Sequence, residues 1–290
     1  MKEAAKRILK AIHLYHPLQS FYRDVLRYGK RAALRRRYRP YRGSGFTCNY
    51  CHVSHQRFAP WHPPAADKAA IDDYRVIAGY GENILCPYCL STARERLLKA
   101  MLETRFSIRH TRILHLSPEA PVYDFIKDQA DIVAADLMPG FYKSIARAVQ
   151  FADATRLSLA DASFDMVIAN HIMEHIPDDE AAMREIARVL KPGGAAILQV
   201  PFSVSIPATR EERNIHDPAR QSALFGQADH VRIYQLDDYL HRLRGAGFIV
   251  DYLPYESLHS FYRYAIQPGE GFMLIRKPAA GNAMEHASAG

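Results

Sequence analysis

The chain has 290 residues, 48% hydrophobic and 24% charged, a globular balance that excludes collagen-like or low-complexity chains and suggests one large domain plus a smaller one. Its net charge of +7 is uneven, because residues 1–43 hold 13 Lys/Arg against Glu3 and Asp24 while the remainder is net −4. No run approaches the roughly 18 apolar residues of a membrane span, and the start lacks a secretory h-region and cleavage site, so a cytoplasmic protein is expected.

Four regions follow in chain order, with no internal repeat. Residues 1–43 form a basic helical extension, in which Ile8, Leu9, Ile12, Leu14 and Tyr15 give a partly amphipathic helix. The run Arg35-Arg36-Arg37-Tyr38-Arg39-Pro40 ends it. Such an arm suits the anionic inner face of a membrane, RNA phosphates or packing on the body. Residues 44–104 hold all four cysteines, 105–277 alternate short apolar runs with amphipathic stretches, and 278–290 are expected to be a disordered tail.

The cysteines fall in two pairs, Cys48-Asn-Tyr-Cys51 and Cys86-Pro-Tyr-Cys89. A reducing compartment disfavours disulfides, and two Cys-x-x-Cys knuckles bring four thiolates to one tetrahedral ion, so structural zinc is expected. His52, His55 and His62 lie close enough in sequence to substitute. The intervening stretch is longer than in a compact ribbon, and the second knuckle runs into a helical pattern over Leu90–Glu103. A hairpin knuckle followed by a helix-start knuckle is a treble-clef arrangement.

Beyond the cysteines, strands are expected at Arg112–Leu116, Asp131–Asp136, Gln150–Asp153, Asp165–Asn170 and Ala195–Pro201, each a near-continuous apolar run suited to burial on both faces. A helix over Asp179–Leu190 places Ala182, Ile186, Val189 and Leu190 on one side, and Lys191-Pro192-Gly193-Gly194 stops it. A second helix, Leu236–Ala246, precedes strands at Phe248–Tyr252 and Phe272–Arg276, the last a hairpin-like antiparallel return. This alternation predicts a parallel α/β sheet with helices on both faces.

Ligands of open parallel sheets bind beyond the carboxyl ends of the strands. Here those ends carry His115-Leu116-Ser117-Pro118-Glu119, Asp136-Leu137, Asp153-Ala154 and Asn170-His171. The stretch from Asp153 through Phe164-Asp165 to Glu174-His175-Ile176, continued by Glu185-Ile186-Ala187-Arg188-Val189-Leu190-Lys191-Pro192-Gly193-Gly194, resembles class I S-adenosylmethionine-dependent methyltransferases. The likeness covers roughly residues 108–277. It implies a Rossmann-like seven-stranded sheet with the last strand antiparallel. It also implies that Asp136 binds the cofactor ribose, that Asp153 contacts the adenine amino group, and that Asn170 and His171 line the methyl-transfer face. His115, Ser117, Glu119, Leu137 and Ala154 complete the implied cofactor set.

The chain departs from that family at its first motif. His115 stands in the acid's place, and Ser117 and Glu119 occupy the two glycine positions, with Pro118 between them. This departure implies weaker binding, an altered pose, a fold without catalysis, or a Glu119 carboxylate that pairs with the methionine ammonium. The segment Phe225-Gly226-Gln227-Ala228-Asp229-His230-Val231-Arg232-Ile233-Tyr234 resembles a stretch in some bacterial members of unassigned substrate. It offers His230 as general base with Asp229 to orient it. His216-Asp217 is a second such pair, and His175 reads as a structural histidine. The acceptor expected from this resemblance is a small molecule or a glycan precursor, with RNA methylation or non-catalytic binding as alternatives.

Overall fold

The computed structural model describes residues 15–280, with side chains from Val25 onward. Of the expectations above, residues Ile8–Leu14 of the amphipathic arm and the tail from 281 lie outside the described residues. A helix α1 (Tyr15–Arg37) leads into a hairpin of β1 (Arg42–Thr47) and β2 (Ser54–His55). Next come β3 (Ala59–Trp61), α2 (Ala65–Asp73) and β4 (Gly81–Leu85), with β3 and β4 antiparallel. Helix α3 (Ala93–Arg105) starts three residues later than the pattern at Leu90 suggests. Leu90 itself adopts φ 68°, which closes the second cysteine turn. Thr92 and Glu95 then form a reciprocal capping box, satisfying two of the helix's orphan N–H groups.

The remainder builds one seven-stranded sheet from β5 (Arg112–Leu116), β6 (Asp131–Asp136), β7 (Val149–Phe151), β8 (Phe164–Ile168), β9 (Leu190–Ile197), β13 (Ile249–Leu253) and β14 (Phe272–Arg276). Their spatial order is β13-β14-β9-β8-β5-β6-β7. β14 runs antiparallel to both its neighbours, and the other pairings are parallel. The fold is therefore Rossmann-like α/β. Its helices include α4 (Ala120–Ile126), α5 (Asp179–Val189), α6 (Pro218–Phe225) and α7 (Leu236–Gly245). The insertion after β9 forms a small sheet of β10 (Phe202–Ser203), β11 (Arg210–Glu211) and β12 (Arg232–Gln235).

One cluster of buried side chains packs α5 and α7 against the sheet through residues such as Ile186, Val189, Tyr239 and Leu243. Another, with Leu98, Met101, Val122 and Ile126, packs α3 and α4 against it. Burial on both sides explains why strands such as Ile113–Leu116 read as continuous apolar runs. Several boundaries differ from the sequence pattern, with β8 ending at Ile168 rather than Asn170 and β9 at Ile197 rather than Pro201. β7 stops at Phe151, and Asp153 lies beyond it, bridged to Arg156. β9 begins at Leu190, because the Lys-Pro-Gly-Gly segment continues straight into the sheet, with Gly193 at φ 77° and a register shift opposite β8.

The cysteine region and the sheet share a fully buried guanidinium. Arg96 donates to the carbonyls of Ser91, Asn83 and Ile84 on one side and Tyr264 and Ala265 on the other. Gly79 N–H donates to Gln267 Oε1, and Gln267 Nε2 donates to the Tyr80 carbonyl. Among the described residues, no helix is long and apolar enough to cross a membrane.

Candidate active site

The two cysteine turns repeat one backbone design. His52 N–H donates to the Cys48 carbonyl, and Leu90 N–H donates to the Cys86 carbonyl. His52 and Leu90 both take positive φ, at 57° and 68°. The four sulfurs lie within 4.8 Å of one another, with Cys48–Cys89 at 3.5 Å and Cys51–Cys86 at 3.7 Å. Zinc–sulfur bonds of about 2.3 Å at tetrahedral angles require a sulfur–sulfur edge of about 3.8 Å, so this donor set fits such an ion. His52, His55 and His62 do not join the cluster. His55 is instead buried edge-on against Phe58.

At the sheet, strand order reverses between β5 and β8, and the polar strand ends gather there. Asp136 closes β6, where its Oδ2 accepts from the Ser117 hydroxyl at 2.5 Å and its Oδ1 accepts from Met138 N–H at 2.6 Å. Ser117 holds φ 47°, the left-handed conformation in which glycine is free of strain. Leu137, Met138 and Phe151 stand exposed beside these acids. Asp153 Oδ1 accepts from both the backbone N–H and the hydroxyl of Thr155. Ala154 packs partly buried against the core.

Glu119 caps α4 and faces the switch point. Asn170 Nδ2 reaches both its oxygens, at 3.2 and 3.1 Å. Arg94, from the start of α3, brings its Nε to 3.6 Å. Burial pushes the Glu119 carboxyl up to about 7, opposed by Arg94. His115 is 1% exposed, lies against Tyr123, and has both ring nitrogens without a hydrogen-bond partner. Burial lowers its pKa to about 3.

Beyond Asn170, a 3-10 turn at Met173–His175 carries Glu174 and His175 toward His230. These residues and His171 line a cavity of about 100 Å³, together with Arg94 and Tyr80 from the cysteine region. His171 Nδ1 lies 3.6 Å from Glu174 Oε1. Burial, reinforced by Arg94, lowers His171 to about 4, and burial lowers His230 to about 4. Burial opposes ionisation of Glu174, but the surrounding imidazoles prevail and hold it at about 2. At neutral pH an ionised carboxylate therefore faces neutral His171 and His230.

The structure brings Asp229 to His175 rather than to His230. The Nδ1 of His175 lies 3.4 Å from Asp229 Oδ1 and 3.2 Å from the Asp229 carbonyl. Burial alone would lower His175, yet Asp229 and Glu174 raise it. Asp217 is a helix cap, accepting from Ala219 and Arg220 N–H at the start of α6, and His216 is exposed. In the polar segment near residue 230, Arg232 is fully buried and donates to the carbonyls of Met173, Ile176 and Pro177. Tyr234 donates to Asp179 at 2.6 Å. Both therefore hold the turn that presents Glu174.

Sequence reasoning missed Arg94, Tyr80 and Glu174. Arg94 and Tyr80 come from a separate region, and nothing local announces where they point. Glu174 had one signal, its spacing three residues after His171 and directly before His175.

The fold is an open α/β domain with polar strand ends beside the switch in strand order. Residues 118–198 match the family described as a methyltransferase domain. The chain is 31% identical over 131 residues to the uncharacterized protein YafE of Escherichia coli, covering 45% of this chain and 59% of that protein. It is 38% identical over 98 residues to a 27-O-demethylrifamycin SV methyltransferase of Amycolatopsis mediterranei, covering 34% of each. The chain thus spans less than two thirds of the length of these relatives. A solved S-adenosylmethionine dependent methyltransferase from Mesorhizobium loti is similar at 15% identity and a TM-score of 0.45, covering 64% of this chain and 96% of that one.

Proposed function

We propose that the protein is an S-adenosylmethionine-dependent methyltransferase acting on a small-molecule or sugar-containing acceptor. The observation that carries this reading is the pair of carboxylates beside the switch point, Asp136 at the end of β6 and Glu119 at the start of α4 just after β5. The methyltransferase-domain match over residues 118–198 supports it.

In this reading Asp136 accepts from the ribose hydroxyls, and the exposed Leu137 and Met138 cover the adenine together with Asp153 and Ala154. Glu119, oriented by Asn170, pairs with the ammonium end of the cofactor. The cofactor supplies an electrophilic methyl group on a sulfonium. The chain's own contribution is alignment and exclusion of water. His171 lines the transfer face and, neutral at pH 7, accepts a proton from an oxygen acceptor in the adjoining cavity. His230 lines the same cavity. We assign structural zinc to Cys48, Cys51, Cys86 and Cys89, whose four thiolates leave no position open for catalysis.

Calorimetric titration of the full-length protein with S-adenosylhomocysteine tests the reading. Micromolar binding that weakens at least about tenfold in Asp136→Ala, equivalent to about 1.4 kcal/mol, is expected. Absence of binding to the folded wild type would overturn it.

A further inference from the structure

Glu174, His175 and His230 each bring one ligand atom to within 4.8 Å of the others. Glu174 Oε1 lies 3.9 Å from His175 Nε2 and 4.0 Å from His230 Nε2. These separations are too long for hydrogen bonds but suit ligands arranged around a shared ion. Two buried groups lack partners there. Glu174, 2% exposed, has an Oε2 without a hydrogen bond, and neighbouring His171 has both ring nitrogens without one. Buried polar atoms are rarely left unpaired, so this cluster points to a missing ligand.

The surrounding contacts fix the donors in place. Asp229 holds His175 through Nδ1, which leaves Nε2 turned toward Glu174. A carboxylate behind an imidazole is the arrangement that orients metal-bound histidines. Val231 N–H donates to the Glu174 carbonyl at 3.0 Å, tying the turn to the strand beside His230.

We propose that Glu174, His175 and His230 form a binding site for a first-row divalent transition ion, distinct from the four-cysteine cluster. Two imidazoles and one carboxylate favour zinc, manganese or iron over magnesium and calcium, which prefer all-oxygen shells. Three protein ligands leave positions open toward the cavity lined by Arg94 and Tyr80. An oxygen-bearing acceptor is the class of molecule that would fill them. That last step rests on the methyltransferase reading, whereas the ion site does not.

The test uses the full-length protein with its cysteine cluster loaded with zinc, titrated with Co2+ and followed by absorption spectroscopy. One equivalent of cobalt is expected to bind without the intense near-ultraviolet band of cobalt–thiolate bonds. Glu174→Gln and His175→Gln should each abolish it while the cysteine-bound zinc and the melting temperature persist. If either variant unfolds, the other carries the test, and Asp229→Asn should weaken cobalt binding by about 10–100-fold. Cobalt that enters only the thiolate site, or that binds undiminished in the variants, overturns the proposal. S-adenosylhomocysteine titrations on the same samples separate the two readings. Cofactor binding without a second metal sinks only the ion site, and a second metal without cofactor binding sinks only the methyltransferase reading.

Discussion

Ser117 donates its hydroxyl to Asp136 at 2.5 Å, so the turn after β5 grips the carboxylate that closes β6. In the proposed reading, a ribose hydroxyl at Asp136 competes with Ser117 for the same carboxylate. Ser117 also sits at φ 47°, where a side chain is strained by about 1 kcal/mol. Ser117→Gly relieves the strain and removes one hydrogen bond worth about 1 kcal/mol, so melting should change little. S-adenosylhomocysteine affinity, measured calorimetrically, should rise severalfold. A fall in affinity would show that the serine presents the carboxylate rather than competing for it.

Glu119 predicts a proton coupling. Its carboxyl, raised by burial to about 7, is partly protonated near neutrality. In the proposed reading an incoming ammonium favours the ionised form, so binding at pH 6.5 should release a proton, and affinity should rise as pH increases through 7. Titrations in buffers of different ionisation enthalpy read that release directly. Glu119→Gln should abolish it and weaken binding.

His115 makes the fold sensitive to acid. Its folded pKa of about 3 lies below the ordinary value of 6.5, so the unfolded chain binds the extra proton between those limits. Stability from this residue is full above pH 6.5 and is lost as pH falls toward 3. His115→Phe removes that term and the two unpartnered ring nitrogens. Thermal melts at pH 7 and pH 5 should show a smaller drop for the variant than for the wild type.

Arg96 is the joint between the cysteine region and the sheet. Replacing it with Met leaves five carbonyls without the donors they now share. The expected loss is about 3–5 kcal/mol, read by urea denaturation. A loss below about 1 kcal/mol would mean that water replaces the guanidinium at little cost.

The strands at Arg112–Leu116, Asp131–Asp136 and Phe272–Arg276 were legible because burial on both faces writes a continuous apolar run. The start of β9 was not, since Pro192 and the two glycines after it look like a stop when the neighbouring strand is unknown. Asp136 was legible as a strand-end acid. The partner of Asp229 was not, because adjacency to His230 in sequence says nothing about the turn that carries His175 to it. Arg94 and Glu119 meet from elements 25 residues apart, a contact no local pattern encodes.

The contacts of Arg96 also set an order of assembly. Tyr264 and Ala265 lie 168 and 169 residues downstream of it, and Gln267 lies 188 residues after Gly79. During synthesis the cysteine turns can close early, since Cys48 and Cys89 are only 41 residues apart. The Arg96 guanidinium just after them must then wait, its donors toward Tyr264 and Ala265 met only by water, until nearly the whole sheet has left the ribosome. A nascent chain halted before residue 264 would carry the cysteine turns seated on α3 but without the Tyr264 and Ala265 carbonyls. Such arrested chains should be cut by protease between the two regions, at a point the completed protein shields.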